Sequence, residues 1–197
     1  MKEQKIKQRK KIFFDMEFTG LHQETTLISI GLISECGTKH FYGETNDFDK
    51  SQINEWLQTN VIDNLSLQTS TETGIVKQPH FNENKIEIVK TLFFGNSQKL
   101  RYHLEEWLYQ FGEVEMWSDC LAYDWVLFNQ IWEHAFNIPK NVYYIPFDIC
   151  TLFHNKRIDP DINREEYADM LEGSQKHNAL WDAMVIRACF NKLNKTP

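Results

Sequence analysis

Near the start of the chain, hydrophobic positions come in short runs that alternate with polar ones. Residues 12–18 (IFFDMEF), 26–34 (TLISIGLIS) and 39–44 (KHFYGE) each predict a strand. Turn-forming residues separate them, notably ECGTK, so an antiparallel meander is expected. Residues 52–61 then switch to helical spacing through Ile53, Trp56 and Leu57. Residues 66–80 are rich in Ser and Thr and keep no period, which reads as a loop or insertion. Residues 86–94 (IEIVKTLFF) fit a strand or a helix equally well. Residues 98–111 predict a helix, with Leu100, Leu104, Trp107, Leu108 and Phe111 on one face and Gly112 ending it.

The second half alternates between the two periods. Residues 114–118 (VEMWS) read as a short strand and 124–136 as a helix closed by Asn137 and Pro139. Residues 143–147 (YYIPF) suggest another strand, with Pro146 arguing for an edge or an end. Asp148 fits a helix N-cap, and residues 178–193 form the last predicted helix. Early antiparallel strands followed by strand–helix alternation predict an α/β fold, a mixed sheet with helices on its faces.

Length and composition narrow the class. A chain of 197 residues is one domain, or one domain with an elaboration. Its 42% hydrophobic content is enough for a sizeable core. No apolar run approaches the roughly 20 residues needed to cross a bilayer, and the charged N-terminus lacks a leader pattern. A cytoplasmic protein with no membrane partner is therefore expected. Cys36, Cys120, Cys150 and Cys189 are scattered, so their spacing supports neither a zinc site nor a disulfide framework.

The formal charge of −7 is unusual for a protein that binds nucleic acid. It is unevenly spread: residues 1–11 carry about +5 and the remainder roughly −12. The basic segment reads either as a solvated tail or as a nucleic-acid contact. An acidic body can still hold phosphate if its carboxylates hold cations, because bound cations invert the local field.

Several carboxylates stand where a fold alone would not put them. Asp15 and Glu17 lie at i and i+2 of an apolar strand, so their side chains share one face. Burying two adjacent like charges costs several kcal/mol unless a cation compensates. The alternative is a strand face that meets solvent. Asp124 opens a predicted helix, where a favourable helix dipole would also explain it. Asp182 lies on the last helix and could be an exposed acid, but His177 precedes it by five residues at that helix's mouth. A histidine beside a metal-binding acid can take a proton from water.

The stretches DMEFTGL at residues 15–21, AYDW at 122–125 and HNALWDA at 177–183 resemble the three motifs of the DEDDh 3′→5′ exonuclease superfamily. The likeness runs from about Ile12 to Phe190 and is narrowest to the bacterial, mycobacterial-type 3′→5′ exoribonucleases; the first motif is also similar to oligoribonuclease. Residues 66–97 look like an insertion beyond that pattern, leaving residues 1–11 as a basic tail and 12–197 as the exonuclease domain.

The resemblance implies a ribonuclease H-like mixed sheet of five strands. It implies two divalent cations, magnesium or manganese, on Asp15, Glu17, Asp124 and Asp182, with His177 as general base. It further implies that Phe18, Thr19 and Leu21 contact the substrate, Leu21 as a wedge between terminal bases; packing roles are the alternative for Phe18 and Leu21. The expected reaction is hydrolysis from the 3′ end of single-stranded RNA or a 3′ overhang, releasing nucleoside 5′-monophosphates. A DNA exonuclease with the same site, and an inactive nucleic-acid-binding module, are the rival readings. Homo-oligomer formation is left open. Asp119 competes with Asp124 for the second-motif position, and the resemblance favours Asp124, where the family's helix begins. No glycine-rich phosphate loop is present.

Overall fold

The computed structural model describes residues 7–67 and 74–195. Strands β1 (Lys10–Phe18), β2 (Leu27–Ser34) and β3 (Lys39–Thr45) form the expected antiparallel meander. Beyond them come α1 (Glu55–Asn60), β4 (Gly74–Phe81), β5 (Glu87–Gly95) and α2 (Ser97–Tyr109). Then follow β6 (Val114–Ser118), α3 (Leu121–Gln130), β7 (Phe147–Asp148), α4 (Ile149–Asn155), α5 (Arg164–Tyr167) and α6 (Ala179–Lys195). The sheet is mixed and seven-stranded in the order β4-β5-β3-β2-β1-β6-β7, compatible with a ribonuclease H-like fold.

Two strands exceed the expected five, and both come from residues 66–97. β5 runs parallel to β3 and β4 pairs antiparallel with β5 at the sheet's edge. β4 escaped the sequence reading because nearly all its side chains are exposed, which removes the alternation that marks a half-buried strand. Pro79 sits in this edge strand, where a missing N–H is tolerated. Part of the predicted loop, residues 68–73, lies outside the described residues.

Other boundaries also move. α3 begins at Leu121 and ends at Gln130, so Asp124 lies within its first turn rather than opening it. The predicted 143–147 strand contracts to Phe147–Asp148, with Val142 making a single bridge to Val114; Pro146 cannot donate to a ladder. Asp148 caps α4, accepting a hydrogen bond from the Cys150 N–H at 2.9 Å. Within the basic N-terminal segment, Lys10 and Lys11 pair with β6 in register. Among the described residues, Lys7 and Arg9 pair with Glu113, while Lys11 meets Glu35 and Glu115.

Central strand β1 is covered on both sides. Ile12, Phe14 and Met16 face a core built with α2 and α3 through Leu100, Leu104, Trp107 and Phe128. Phe13 faces the other way, into Ile149, Phe153, Ala183, Ile186 and Cys189 of α4 and α6. By alternation Asp15 and Glu17 share the α6 side.

Gly31 of β2 lies opposite Asp15 in register. A Cβ there would come within 2.2 Å of the Leu180 N and 2.3 Å of the Ala179 carbonyl. The start of α6 thus rests on bare backbone, which brings Asp182 down onto β1. Gly31→Ala forces backbone against backbone, so a destabilisation of ~3 kcal/mol, the upper end for overpacking, is expected by urea unfolding. Activity should fall with it as Asp182 is lifted away; an unchanged urea midpoint would contradict this packing.

Candidate active site

The acids meet in a cleft of about 550 Å³ at the end of β1, lined by Asp15, Glu17, Asp124, His177 and Asp182 among others. Oxygen atoms of Asp15, Glu17 and Asp182 all lie within 4.8 Å of one another. β1 supplies the first two, and the first turn of α6 supplies the third. A register shift between Glu17 and Phe18 marks a bulge where β1 leaves the ladder at the cleft.

Asp124 stands outside that tight group but in the same cleft, only 4% exposed. Ser118, the last residue of β6, donates a hydroxyl hydrogen bond to its Oδ2. Asp119 is placed differently: its Oδ2 is 2.5 Å from Arg164 Nε, so a guanidinium already matches its charge. That pairing favours Asp124 over Asp119 as the acid that joins Asp15, Glu17 and Asp182.

Burial and mutual repulsion push these carboxyls upward. Asp15 rises well above the usual carboxylate range, through burial first and then Asp124, Asp182 and Glu17. Burial, then Asp182 and Asp124, raise Glu17 to about 8. Asp124 reaches about 8, burial outweighing the Ser118 hydrogen bond. Asp182 reaches about 7, burial outweighing the His177 backbone N–H that bonds its Oδ2 at 2.9 Å. Four acids that resist ionisation together form a cluster whose repulsion a bound cation would relieve. All-oxygen donors of this kind fit hard divalent ions such as magnesium or manganese.

This has a consequence for stability. Unfolded carboxyls titrate near 4, below the folded values. The cluster's contribution is therefore complete below about pH 4 and is lost as pH rises through about 7–8. In chelator, the urea midpoint at about pH 8.5 should lie below that at about pH 5.5, and manganese should stabilise most at the higher pH. A midpoint in chelator that rises with pH would contradict the cluster.

His177 sits just before α6 with a left-handed backbone, φ 66°. That turn lets its N–H reach Asp182 while its ring Nδ1 stands 3.9 Å from Glu17 Oε1. Burial, then Lys176, lowers its pKa, so the ring is neutral and able to accept a proton at pH 7.

The remaining expected contacts divide. Leu21 is 66% exposed on the cleft wall, a large apolar side chain held out in water. Phe18 lines the same cleft, its ring 6.3 Å from Tyr123. Thr19 does not: it is buried, its hydroxyl donates to Gln52 Oε1 at 2.5 Å, and it accepts from the Thr26 N–H at 2.9 Å. Its hydroxyl ties the loop after β1 to Gln52 and Thr26 rather than facing the cleft.

Other residues were not anticipated. Trp56 of α1 is exposed, with its ring edge-on to His177 at 5.1 Å. Helical spacing had grouped it with Leu57, but adjacent residues on a helix cannot share a narrow face, and only Leu57 is buried. Glu165 and Lys176 line the cleft near His177. Glu165 accepts from Ser174 Oγ and Trp181 Nε1, both at 2.6 Å.

The sequence matches the 3′-5′ exoribonuclease Rv2179c-like domain over residues 10–193. The chain belongs to this family. Two relatives from Mycobacterium tuberculosis are similar to it: 3′-5′ exoribonuclease Rv2179c of strain ATCC 25618 / H37Rv and 3′-5′ exoribonuclease MT2234.1 of strain CDC 1551 / Oshkosh. Each is 27% identical over 132 residues, spanning 66% of this chain and 66% of the relative. The family match runs from the first residue of β1 to near the end of α6, so it includes all four acids and His177. Among the described residues, no helix is long and apolar enough to cross a membrane.

Proposed function

We propose that the protein is a metal-dependent 3′→5′ exoribonuclease of the DEDDh type. The observation that carries this reading is the meeting of Asp15, Glu17 and Asp182 within 4.8 Å, with Asp124 and His177 in the same cleft. Family membership supports the RNA substrate and the direction of attack. Asp15, Glu17, Asp124 and Asp182 would hold two magnesium or manganese ions. When bound, such ions lower the pKa of water and stabilise charge on the scissile phosphate and the leaving 3′ oxygen.

The chain's own residues complete the chemistry. His177 takes the proton from the attacking water as a neutral imidazole. The His177 N–H on Asp182 and the Ser118 hydroxyl on Asp124 fix those carboxylates in place. Leu21 and Phe18 offer apolar surface to the terminal bases. The 3′-terminal residue leaves as a nucleoside 5′-monophosphate.

Matched RNA and DNA oligomers labelled at the 5′ end test this with manganese or magnesium present. A ladder shortened from the 3′ end of RNA, abolished by chelator, is the expected result. Internal cleavage, or no shortening of either polymer, would overturn the reading; preferential shortening of DNA would replace the substrate while keeping the site.

A further inference from the structure

Beside the carboxylate cleft lies a second group of ligand atoms with different chemistry. The Sγ atoms of Cys120 and Cys150 and an Asp119 carboxylate oxygen all fall within 4.8 Å of one another. Cys120 comes from the β6–α3 connection and Cys150 from the first turn of α4, thirty residues apart in sequence. We propose that Asp119, Cys120 and Cys150 form a second metal site, one that takes a thiophilic divalent cation of the zinc class.

The hydrogen bonding around the group supports this. The Cys150 thiol donates to Asp119 Oδ1 at 3.0 Å, and a cation bound to both would take that proton's place. Arg164 forms an ion pair with Asp119, its Nε 2.5 Å from Oδ2, and its Nη2 donates to Cys150 Sγ at 3.0 Å. Two thiolates and one carboxylate carry three negative charges. The Arg164 guanidinium and a dication balance them, so the occupied group is neutral. Donors of a tetrahedral zinc stand roughly 3.3–3.8 Å apart, so side-chain rotation of about an ångström closes the site. Sulfur donors separate it from the all-oxygen cleft, because soft ligands select zinc over magnesium or manganese.

The alternative for two neighbouring thiols is a disulfide. Partial desolvation, then the Asp119 charge, pushes the Cys120 thiol up to about 11, and Cys150 is raised too, leaving little thiolate to attack an oxidant. A cation instead displaces the thiol protons directly. Asp119 and Cys120 also line the catalytic cleft, which leaves the fourth coordination position open on that side. Occupation would tie the β6–α3 connection to α4 and so steady the turn of α3 that carries Asp124.

Cobalt titrated into the reduced, chelator-stripped protein tests the site. Thiolate ligation gives a near-ultraviolet charge-transfer band, which carboxylates alone do not produce. The band should saturate at one cobalt per chain, be lost in Cys120→Ser and in Cys150→Ser, and persist in Cys36→Ser. Cys120 is exposed, so its variant is expected to fold, and far-ultraviolet circular dichroism checks this. No band, a band that survives in Cys120→Ser, or one lost in Cys36→Ser would overturn the site. So would a Cys120–Cys150 disulfide in the non-reduced protein together with no band after reduction. The readout is independent of RNA hydrolysis, so failure here and failure of the proposed activity are told apart.

Discussion

Asp15→Ala is expected to abolish turnover while leaving the fold intact and the metal-free protein more stable. Asp15 lies at the centre of the site, its charge opposed by Asp124, Asp182 and Glu17. Cation-mediated charge stabilisation is worth several kcal/mol, and about 1.4 kcal/mol corresponds to a tenfold rate change. A fall of roughly 10³–10⁴-fold or more follows from losing it. Without cations the same carboxylate is only a repulsive burden, so removing it relieves the cluster. Each kcal/mol relieved raises Tm by about 2–4 °C for a chain of this size. Thermal unfolding in chelator and in manganese should therefore show the variant above the parent in chelator and without the parent's gain in manganese. Asp15→Asn, nearly isosteric, separates charge from packing and should behave alike. Full activity in either variant would remove Asp15 from the site.

His177→Ala should lower kcat by roughly 10²–10⁴-fold, the usual range for a lost general base. The imidazole is not in the carboxylate group, so substrate and cation affinity should change far less. The parent enzyme's pH–rate profile should rise through an ionisation at or below the ordinary histidine range, because burial and Lys176 favour the neutral ring. That ascending limb should vanish in the variant. The backbone N–H that holds Asp182 survives the substitution, which keeps the test directed at the ring. The left-handed φ of 66° tolerates alanine poorly, so His177→Asn, which adopts that conformation more readily, is the control for backbone strain. Near-parent kcat under single-turnover conditions in both variants would exclude His177 as the base.

Much of this was written in local pattern. The alternation through residues 12–18 was enough to place Asp15 and Glu17 on one face of a strand, because side-chain direction there depends only on the backbone. The meander was equally visible as short apolar runs between turn signals, and α2 and α6 because each buries one regular face. What depends on solvent exposure was not: β4 lies open at the sheet edge, so nothing forced its sequence to alternate. Nor could spacing say that Thr19 is buried, or that the Trp56 ring meets His177.

The sequence by itself determined which groups could do chemistry: four acids and a histidine in three motifs, on elements of known period. Only the tertiary structure decided which of them meet. Gly31 lets α6 settle on β2 and so sets Asp182 beside Asp15. Arg164 pairs with Asp119, while Asp124 takes the Ser118 hydroxyl. Cys120 and Cys150, unremarkable in spacing, become neighbours only when α4 packs near the start of α3. Such meetings depend on contacts between residues far apart in the chain, and local periodicity carries no record of them.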